Sequence, residues 1–494
     1  MLKNIKIVAV FMAFLLALAS CGNGKYRDFN HLILQLADDD RIIDRADWLK
    51  ISEFLDAQKM NFQDFYEDGN LDVEAVKAYV TDFFANRRPP KKIDFSGMEG
   101  AMKVNFYLEA SGSMMAYDAP QGDGSFKAAI VQMLNNLPGS NADHKIYVVN
   151  SEITPYPQGF SQFLSARNIF EVTKGMGDAS YTDFGAIFDQ ILNKTKDNEL
   201  SILVTDMIYS TKSMESVNPQ KIFAEAQGMA NAVFKSEVKK KAMLVVKMDG
   251  SYNGLYYPYN TPNKGVSYSG RRPYYIVIVG TKTNIGRLTR DKAYETFARL
   301  PQLRGYKNMY LYGTDDVYRP YYSFLLSGRD LRGRFRPEHG QQTQIHDIES
   351  VEPDRNAGDV RLALAVDLGK MLIDENYLTD MGNYEVEADD AWQIKEIRAI
   401  TKEDRTPDMK EYLGSATHIF VLESKGVTHR QEVKIKLLNK LPAWIAASST
   451  DDDRSVDATH TFGLQYLLQG IYHSYEANSE GTPYYFELEL HMDN

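Results

Sequence analysis

From residue 101 onward, apolar runs of strand length alternate with amphipathic segments, and this alternation constrains the fold more than any other feature. Strand-like runs lie at 103–109, 145–149, 200–205, 242–248 and 274–279. Between them, 126–137, 184–195 and 219–238 carry helical spacing; 287–300 adds another such segment and 309–312 a last short strand. A chain that alternates in this way predicts an α/β fold, with helices on both faces of a parallel sheet. Such a sheet presents its site beyond the carboxyl ends of its strands.

The flanks have other periods. In 25–88, Phe29, Leu32, Ile33 and Leu36 fall at helical spacing, as do Trp48, Ile51, Phe54 and Leu55, then Val73, Val76, Val80 and Phe83. Asp64, Asp68, Gly69, Asn70 and Asp72 look like a calcium loop, but Tyr66 and Ala75 stand where oxygen ligands are needed, so Asp72 reads as a helix cap. After about residue 320, strict alternation at Val360, Leu362, Leu364, Val366 and Leu368, at Val433, Ile435 and Leu437, and at Phe486, Leu488 and Leu490 predicts half-buried antiparallel strands. One helix, with Leu464, Leu467, Leu468 and Ile471 on its apolar face, interrupts them, and a β-sandwich-like domain fits. The expected organisation is a leader at 1–20, a helical region at 21–98, an α/β domain at 99–315 with a tyrosine-rich insertion at 250–273, and a β-rich domain at 320–494.

The chain has 56 basic and 67 acidic residues, a net charge of −11, which offers no counterion-releasing patch and argues against nucleic-acid binding. Its one cysteine, Cys21, excludes an internal disulfide and any cysteine-based metal cluster. Lys3 and Lys6 precede an apolar run over 7–18, too short for a spanning helix, which needs about 20 residues. Leu18-Ala19-Ser20-Cys21 follows and resembles the lipobox of bacterial lipoproteins, which implies cleavage before Cys21, acylation of its thiol and membrane attachment through lipid. Loss of 1–20 leaves 54 basic against 67 acidic residues, or −13, so attachment rests on the acyl chains alone. Gly22 stands where an aspartate would resemble an inner-membrane retention signal, and an outer-membrane lipoprotein of the cell envelope is expected.

The first strand runs into Glu109-Ala110-Ser111-Gly112-Ser113-Met114; Tyr181-Thr182-Asp183 opens a later helix, and Leu203-Val204-Thr205-Asp206 ends an apolar strand. In order and placement these resemble the three elements of the von Willebrand factor type A fold: Asp-x-Ser-x-Ser, a loop threonine and an aspartate ending the fourth strand. The resemblance covers about 101–313. It implies a Rossmann-like domain with a mainly parallel sheet, and a metal site of Glu109, Ser111, Ser113, Thr182 and Asp206 for magnesium or calcium. A hard cation takes oxygen ligands, and neutral hydroxyls leave it electrophilic enough to accept an acidic side chain from a protein partner. The role implied is protein binding as an adhesion or scaffold module, with no bond made or broken.

Glu109 departs from that pattern. Its extra methylene moves the carboxylate by roughly 1.5 Å, which either makes it a direct ligand or pushes it across the site and blocks the cation. With the site blocked, the chain reads as a structural subunit of an envelope complex. Taken singly, Thr182 reads as a helix cap, Asp183 as a first-turn acid and Asp206 as a loop cap. The tyrosines of 251–275 read either as a binding hairpin or as one packed on the body. Asp451, Asp452, Asp453 and Asp457 read as a solvated loop. The nine histidines include no close metal-spaced pair, and neither a Gly-x-Ser-x-Gly elbow nor a phosphate-binding loop occurs. No enzymatic activity is expected.

Overall fold

The structure is a computed structural model that describes residues 26–493 apart from 38–40, 68–69, 89, 96–97, 99–101, 136, 138–143, 210–216, 315–317, 319, 339–340, 342–343, 427–428 and 480–483. The leader and Cys21 lie outside the described residues. The chain forms two compact units, 1–99 and 100–494.

In the first unit, helices α1 (Arg27–Ala37), α2 (Arg45–Ala57) and α3 (Val73–Ala85) bury Phe29 and Ile33, Ile51 and Leu55, and Val76, Val80 and Phe84. Their starts are fixed by polar caps. Asp44 and Asp47 form a reciprocal capping box on α2, and Asp72 accepts the Glu74 and Ala75 amides at 3.0 and 3.1 Å at the head of α3. Asp72 is therefore a cap, as its sequence context suggests. The core is aromatic: Phe29 packs on Phe54, Phe62, Phe65 and Tyr79 with ring centroids 5.6–5.8 Å apart.

The second unit is mixed α/β. Its central sheet contains β1 (Lys103–Glu109), β2 (Lys145–Val149), β3 (Ile153–Pro155), β4 (Glu199–Thr205), β5 (Lys241–Tyr256), β6 (Val266–Thr281) and β7 (Tyr306–Tyr312) in the order β3-β2-β1-β4-β6-β5-β7. Helices α4 (Ser125–Asn135), α5 (Phe160–Ser165), α6 (Phe184–Lys194), α7 (Pro219–Phe234) and α8 (Lys282–Arg290) lie between or after these strands. β1 pairs in parallel with β2 and β4, and all three are almost wholly buried, which is why they read as unbroken apolar runs.

The parallel order expected for most of the sheet holds for these three strands; β3 pairs antiparallel with β2 at one edge, and the order changes again beyond β4. There β6 inserts antiparallel between β4 and β5, and β7 pairs antiparallel with β5. The cause is a long hairpin paired from Lys241↔Thr281 out to Tyr256↔Val266. Its pairing with β4 ends at Thr205↔Tyr275, so the distal half runs on past the carboxyl end of β4 by nine residues on each strand, roughly 30 Å.

This projecting half carries the tyrosine-rich segment, and the packed alternative is the one observed. Tyr252, Tyr256, Tyr274 and Tyr275 are buried, with Tyr252 edge-on to Tyr117 at 4.9 Å. The Tyr256 hydroxyl and the Tyr259 amide both donate to Asp453, at 2.6 and 3.0 Å. Asp453 is thus a buried anchor for the hairpin, which corrects the expectation of a fully solvated acidic loop. The hydroxyl of Tyr256, 197 residues away in sequence, supplies the donor that makes its burial tolerable.

Residues beyond 320 add a two-stranded parallel sheet, Ser449–Thr450 with Thr461–Phe462, and two larger ones. One has the order β8 (Tyr322–Phe324), β11 (Val360–Val366), β14 (His418–Ser424), β13 (Gln393–Ala399), all antiparallel. The other has the order β9 (Arg334–Pro337), β10 (Asp347–Glu352), β16 (Tyr484–Met492), β15 (Gln431–Leu438), β12 (Tyr384–Glu387), antiparallel except for β10 with β16. β15 alternates buried and open, as predicted. β11 does not: its second face is covered by helix α9 (Pro407–Leu413), through Met409 and Leu413 against Ala363 and Ala365. The regions expected as separate domains, 99–315 and 320–494, share one apolar core within a single unit. Asn439 ties them by accepting from the hydroxyls of Tyr310 and Tyr485, and helix α10 (Leu464–Ala477) hydrogen-bonds to α7 through Ser474 and Asn231 at 2.8 Å.

Candidate functional site

Three segments meet at the carboxyl ends of β1 and β4. β1 delivers Glu109 and then turns through Ser111 and Ser113 into a short helical turn, Met114–Asp118. The loop before α6 brings Thr182. It is pinned by the Gly112 amide donating to the Ala179 carbonyl at 3.0 Å, by Asn150 donating to the Met176 carbonyl at 2.8 Å, and by the Asp183 amide donating to the Asn150 carbonyl at 3.0 Å. Gly177 is required here. Its φ is +72°, and a Cβ would sit 2.1 Å from the Asn150 side-chain oxygen. After β4, Met207 adopts φ +56°, a left-handed conformation that costs an ordinary residue about 1–2 kcal/mol. It turns the chain so that the Ile208 amide donates to Asp206 at 3.1 Å.

The side chains form one hydrogen-bonded group. Thr182 Oγ1 donates to Glu109 Oε1 at 2.5 Å, and Thr205 Oγ1 donates to Glu109 Oε2. Ser113 Oγ donates to Asp206 Oδ2 at 2.6 Å, and the Ser111 and Ser113 hydroxyls lie 3.2 Å apart. Glu109, Ser111, Thr182, Thr205 and Asp206 are buried, whereas Gly112 and Ser113 are partly open, so the group has a closed floor and an accessible mouth.

All five residues singled out from the sequence as ligands are therefore in this group. Their individual roles differ from the simpler readings. Asp183, not Thr182, caps α6, accepting the Ala186 amide at 3.0 Å, while Thr182 is turned inward to Glu109. Glu109 engages two threonines with its two oxygens. Thr205 was not anticipated: a threonine ending an apolar run reads as an ordinary strand residue, and its role depends on the approach of a residue 96 positions away.

Burial, and then the nearby charge of Asp206, push the Glu109 carboxyl up to about 8. Burial also raises Asp206, against hydrogen bonds from Ser113 and Ile208 and the positive charge of Arg272. Arg272, itself buried, donates to the Asp457 and His460 carbonyls at 3.0 and 3.4 Å and lies 4.3 Å from the Tyr256 ring centroid. Two acids sharing a dry pocket keep one of them protonated, and a cation placed beside them would favour the ionised form of both.

Among the described residues, no group of three or more His, Cys, Asp or Glu side chains is arranged to hold a metal. The candidate centre supplies only two carboxylates, and its other donors are hydroxyls. That donor set is all oxygen, which suits magnesium or calcium and not a softer metal. Adjacent corners of a magnesium octahedron lie about 3 Å apart, and the Ser111–Ser113 separation is 3.2 Å. A hydroxyl that gives its proton to a carboxylate keeps its lone pairs for another partner, and both Thr182 and Ser113 do so. The residues thus fit a hard divalent cation.

Comparison with known protein families, with characterised proteins and with solved structures finds no match for the chain. No described helix is long and apolar enough to cross a membrane.

Proposed function

We propose that this chain is a lipid-anchored binding module of the von Willebrand factor type A kind, which recruits a protein partner through a divalent cation held by Ser111, Ser113 and Thr182, with Asp206 and Glu109 behind them. The observation that carries this reading is the convergence of three distant segments on one oxygen-rich group whose hydroxyls give their protons to carboxylates. When bound, the cation would neutralise the two buried acids and offer an open position to a carboxylate. Glu109 and Asp206 orient the threonine and serine hydroxyls, and the apolar run of β1 beneath them excludes water. Anchoring is assigned to the Cys21 thiol, on the lipobox pattern Leu18-Ala19-Ser20-Cys21, in the outer membrane.

A second reading has one observation in its favour: both oxygens of Glu109 are already satisfied by threonines. On that reading the group is a cross-link, and the chain is a structural subunit of an envelope complex with no cation. Calorimetric titration of the purified, chelator-treated chain with magnesium and with calcium separates the two. The cation reading expects saturable heat that is lost in Ser111→Ala. Absence of heat in both proteins would reject it and leave the structural subunit.

A further inference from the structure

The net charge conceals how the charges are placed. At the amino ends of the buried strands, opposite the candidate site, the chain passes five times, and lysine recurs at each pass. β1 begins at Lys103 and β2 at Lys145, and both are exposed. α6 ends at Lys194, with Lys196 just beyond it, and α7 runs out through Lys235 to Lys239, Lys240 and Lys241, where β5 begins. β6 returns to the same edge and hands over to Lys282. Hydrogen bonds join these passes. The Lys103 amide donates to the Asn198 carbonyl at 2.9 Å, the Lys282 amide to the Lys240 carbonyl at 3.2 Å, and Asn284 Nδ2 to the carbonyls of Asp197 and Glu199 at 2.7 and 3.0 Å.

Nine lysines therefore share one pole with three acids, Asp197, Glu199 and Glu237, among the described residues of these segments. All three acids act on the charge of Lys241, which is buried and donates to the Thr195 carbonyl. Tyr294, bonded to the Met102 amide at 2.6 Å, brings the segment carrying Asp291 and Glu295 to the border, where these acids are paired with Arg287 and Arg299 at 3.7 and 3.2 Å. Lys194 and Lys235 suit the negative end of a helix, but Lys103, Lys145, Lys196, Lys239 and Lys240 end none. A basic patch on a chain of net charge −11 attracts an anionic surface that the molecule as a whole would repel. The chain also enters the body here, since Lys103 opens β1 and the polypeptide leading back to Cys21 precedes it.

We infer that this pole lies against the membrane holding the lipid anchor, its lysines paired with the phosphates of anionic phospholipid headgroups. This rests on the Cys21 reading above. Acyl anchoring together with a polybasic patch holds a protein more firmly than either alone, and lysines within a Debye length of an anionic surface are drawn to it. Attachment therefore does not rest on the acyl chains alone, as the net charge implied. The tether selects lipid over other polyanions, because it delivers this end of the body to the bilayer. The candidate site is carried outward: β1 has seven residues, which sets Glu109 about 20 Å from Lys103.

The test reconstitutes the acylated chain into vesicles of phosphatidylcholine, alone or with about 30% phosphatidylglycerol, and follows lysine acetylation by mass spectrometry. Acetylation of Lys103, Lys196, Lys239 and Lys240 is expected to slow at least about threefold in the mixed vesicles at about 0.05 M salt and to recover at about 0.5 M. Lys402 and Lys410, exposed in the C-terminal half, should react equally in both. With Lys196→Glu, Lys239→Glu and Lys240→Glu combined, all at exposed positions, the protection of Lys103 should vanish while the chain still sediments with both vesicles. Equal acetylation in the two vesicles, protection that salt does not reverse, or equal protection of Lys402 and Lys410 would overturn this inference and leave the anchor standing. Protection by double-stranded DNA but not by the mixed vesicles would also overturn it. Failure to sediment with phosphatidylcholine vesicles rejects the anchor, and this inference with it.

Discussion

Thr205→Val tests the floor of the site. Valine keeps the shape and volume of threonine, so packing in β4 is preserved, but the hydroxyl is lost. Two hydrogen bonds go with it, the one donated to Glu109 Oε2 and the one accepted from the Met207 amide at 2.9 Å. Both partners are buried, and each orphaned polar group costs about 1–3 kcal/mol. The sum is about 2–4 kcal/mol once the added methyl burial is allowed for. That is a large part of the 5–15 kcal/mol typical of a folded protein. Thr205→Ser is the control: it keeps the hydroxyl and loses a methyl, costing about 1 kcal/mol. Amide hydrogen exchange in β1 and β4 is the assay, since these strands lie deep in the core and open only at high free energy. Thr205→Val is expected to lower that opening free energy by about 2 kcal/mol more than Thr205→Ser does. Equal losses in the two variants would refute the claim that Glu109 depends on this hydroxyl.

Three further outcomes are expected. Asp404 accepts a two-pronged pair from Arg398 at 2.7 Å on both oxygens, and that hydrogen bonding holds its carboxyl well below the usual range; its stabilisation is therefore full above about pH 4 and lost as pH falls toward the depressed folded value, so the stability gap between the parent and Asp404→Asn in urea unfolding should shrink from pH 7 to pH 3. Gly177→Ala should displace the loop carrying Thr182, cutting stability by at least about 2 kcal/mol and weakening magnesium heat; an alanine variant with unchanged heat would show that the loop's position does not matter. Cys21→Ser should abolish incorporation of labelled palmitate and release the chain from the membrane fraction, whereas a labelled serine variant would reject Cys21 as the acylated residue.

The site's elements were legible because they follow from local pattern. A fully buried strand reads as an apolar run, and the first polar residues after it, Glu109 and Asp206, mark its carboxyl end. The helical period of 184–195 places Thr182 at a helix entrance. The order of the three elements then carried the resemblance. The insertion of β6 was not legible in the same way, because a strand buried on both faces has no alternation and its sequence carries no direction. The long hairpin has a local cause, 16 residues on each side paired in register, but its tyrosines could be read either as a binding surface or as core until Asp453, nearly 200 positions away, was found to accept from Tyr256.

Glutamate rather than aspartate at position 109 is best understood as a change of reach. Thr182 and Thr205 belong to segments that approach β1 from different directions, one from the loop ahead of α6 and one from the end of β4. A shorter acid at 109 would have to choose between them. With one more methylene, roughly 1.5 Å, each carboxylate oxygen finds its own threonine, and the two segments are fixed to β1 by a single side chain. Besides its two threonines, Glu109 lies within hydrogen-bonding reach of Ser111, so the longer side chain spans from the floor to the edge of the mouth. What remains toward the mouth are the hydroxyl lone pairs of Ser111, Ser113 and Thr182, with Asp206 bound to Ser113. The glutamate thus keeps its acid group in the floor, and the donors nearest the opening are the neutral hydroxyls of Ser111 and Ser113.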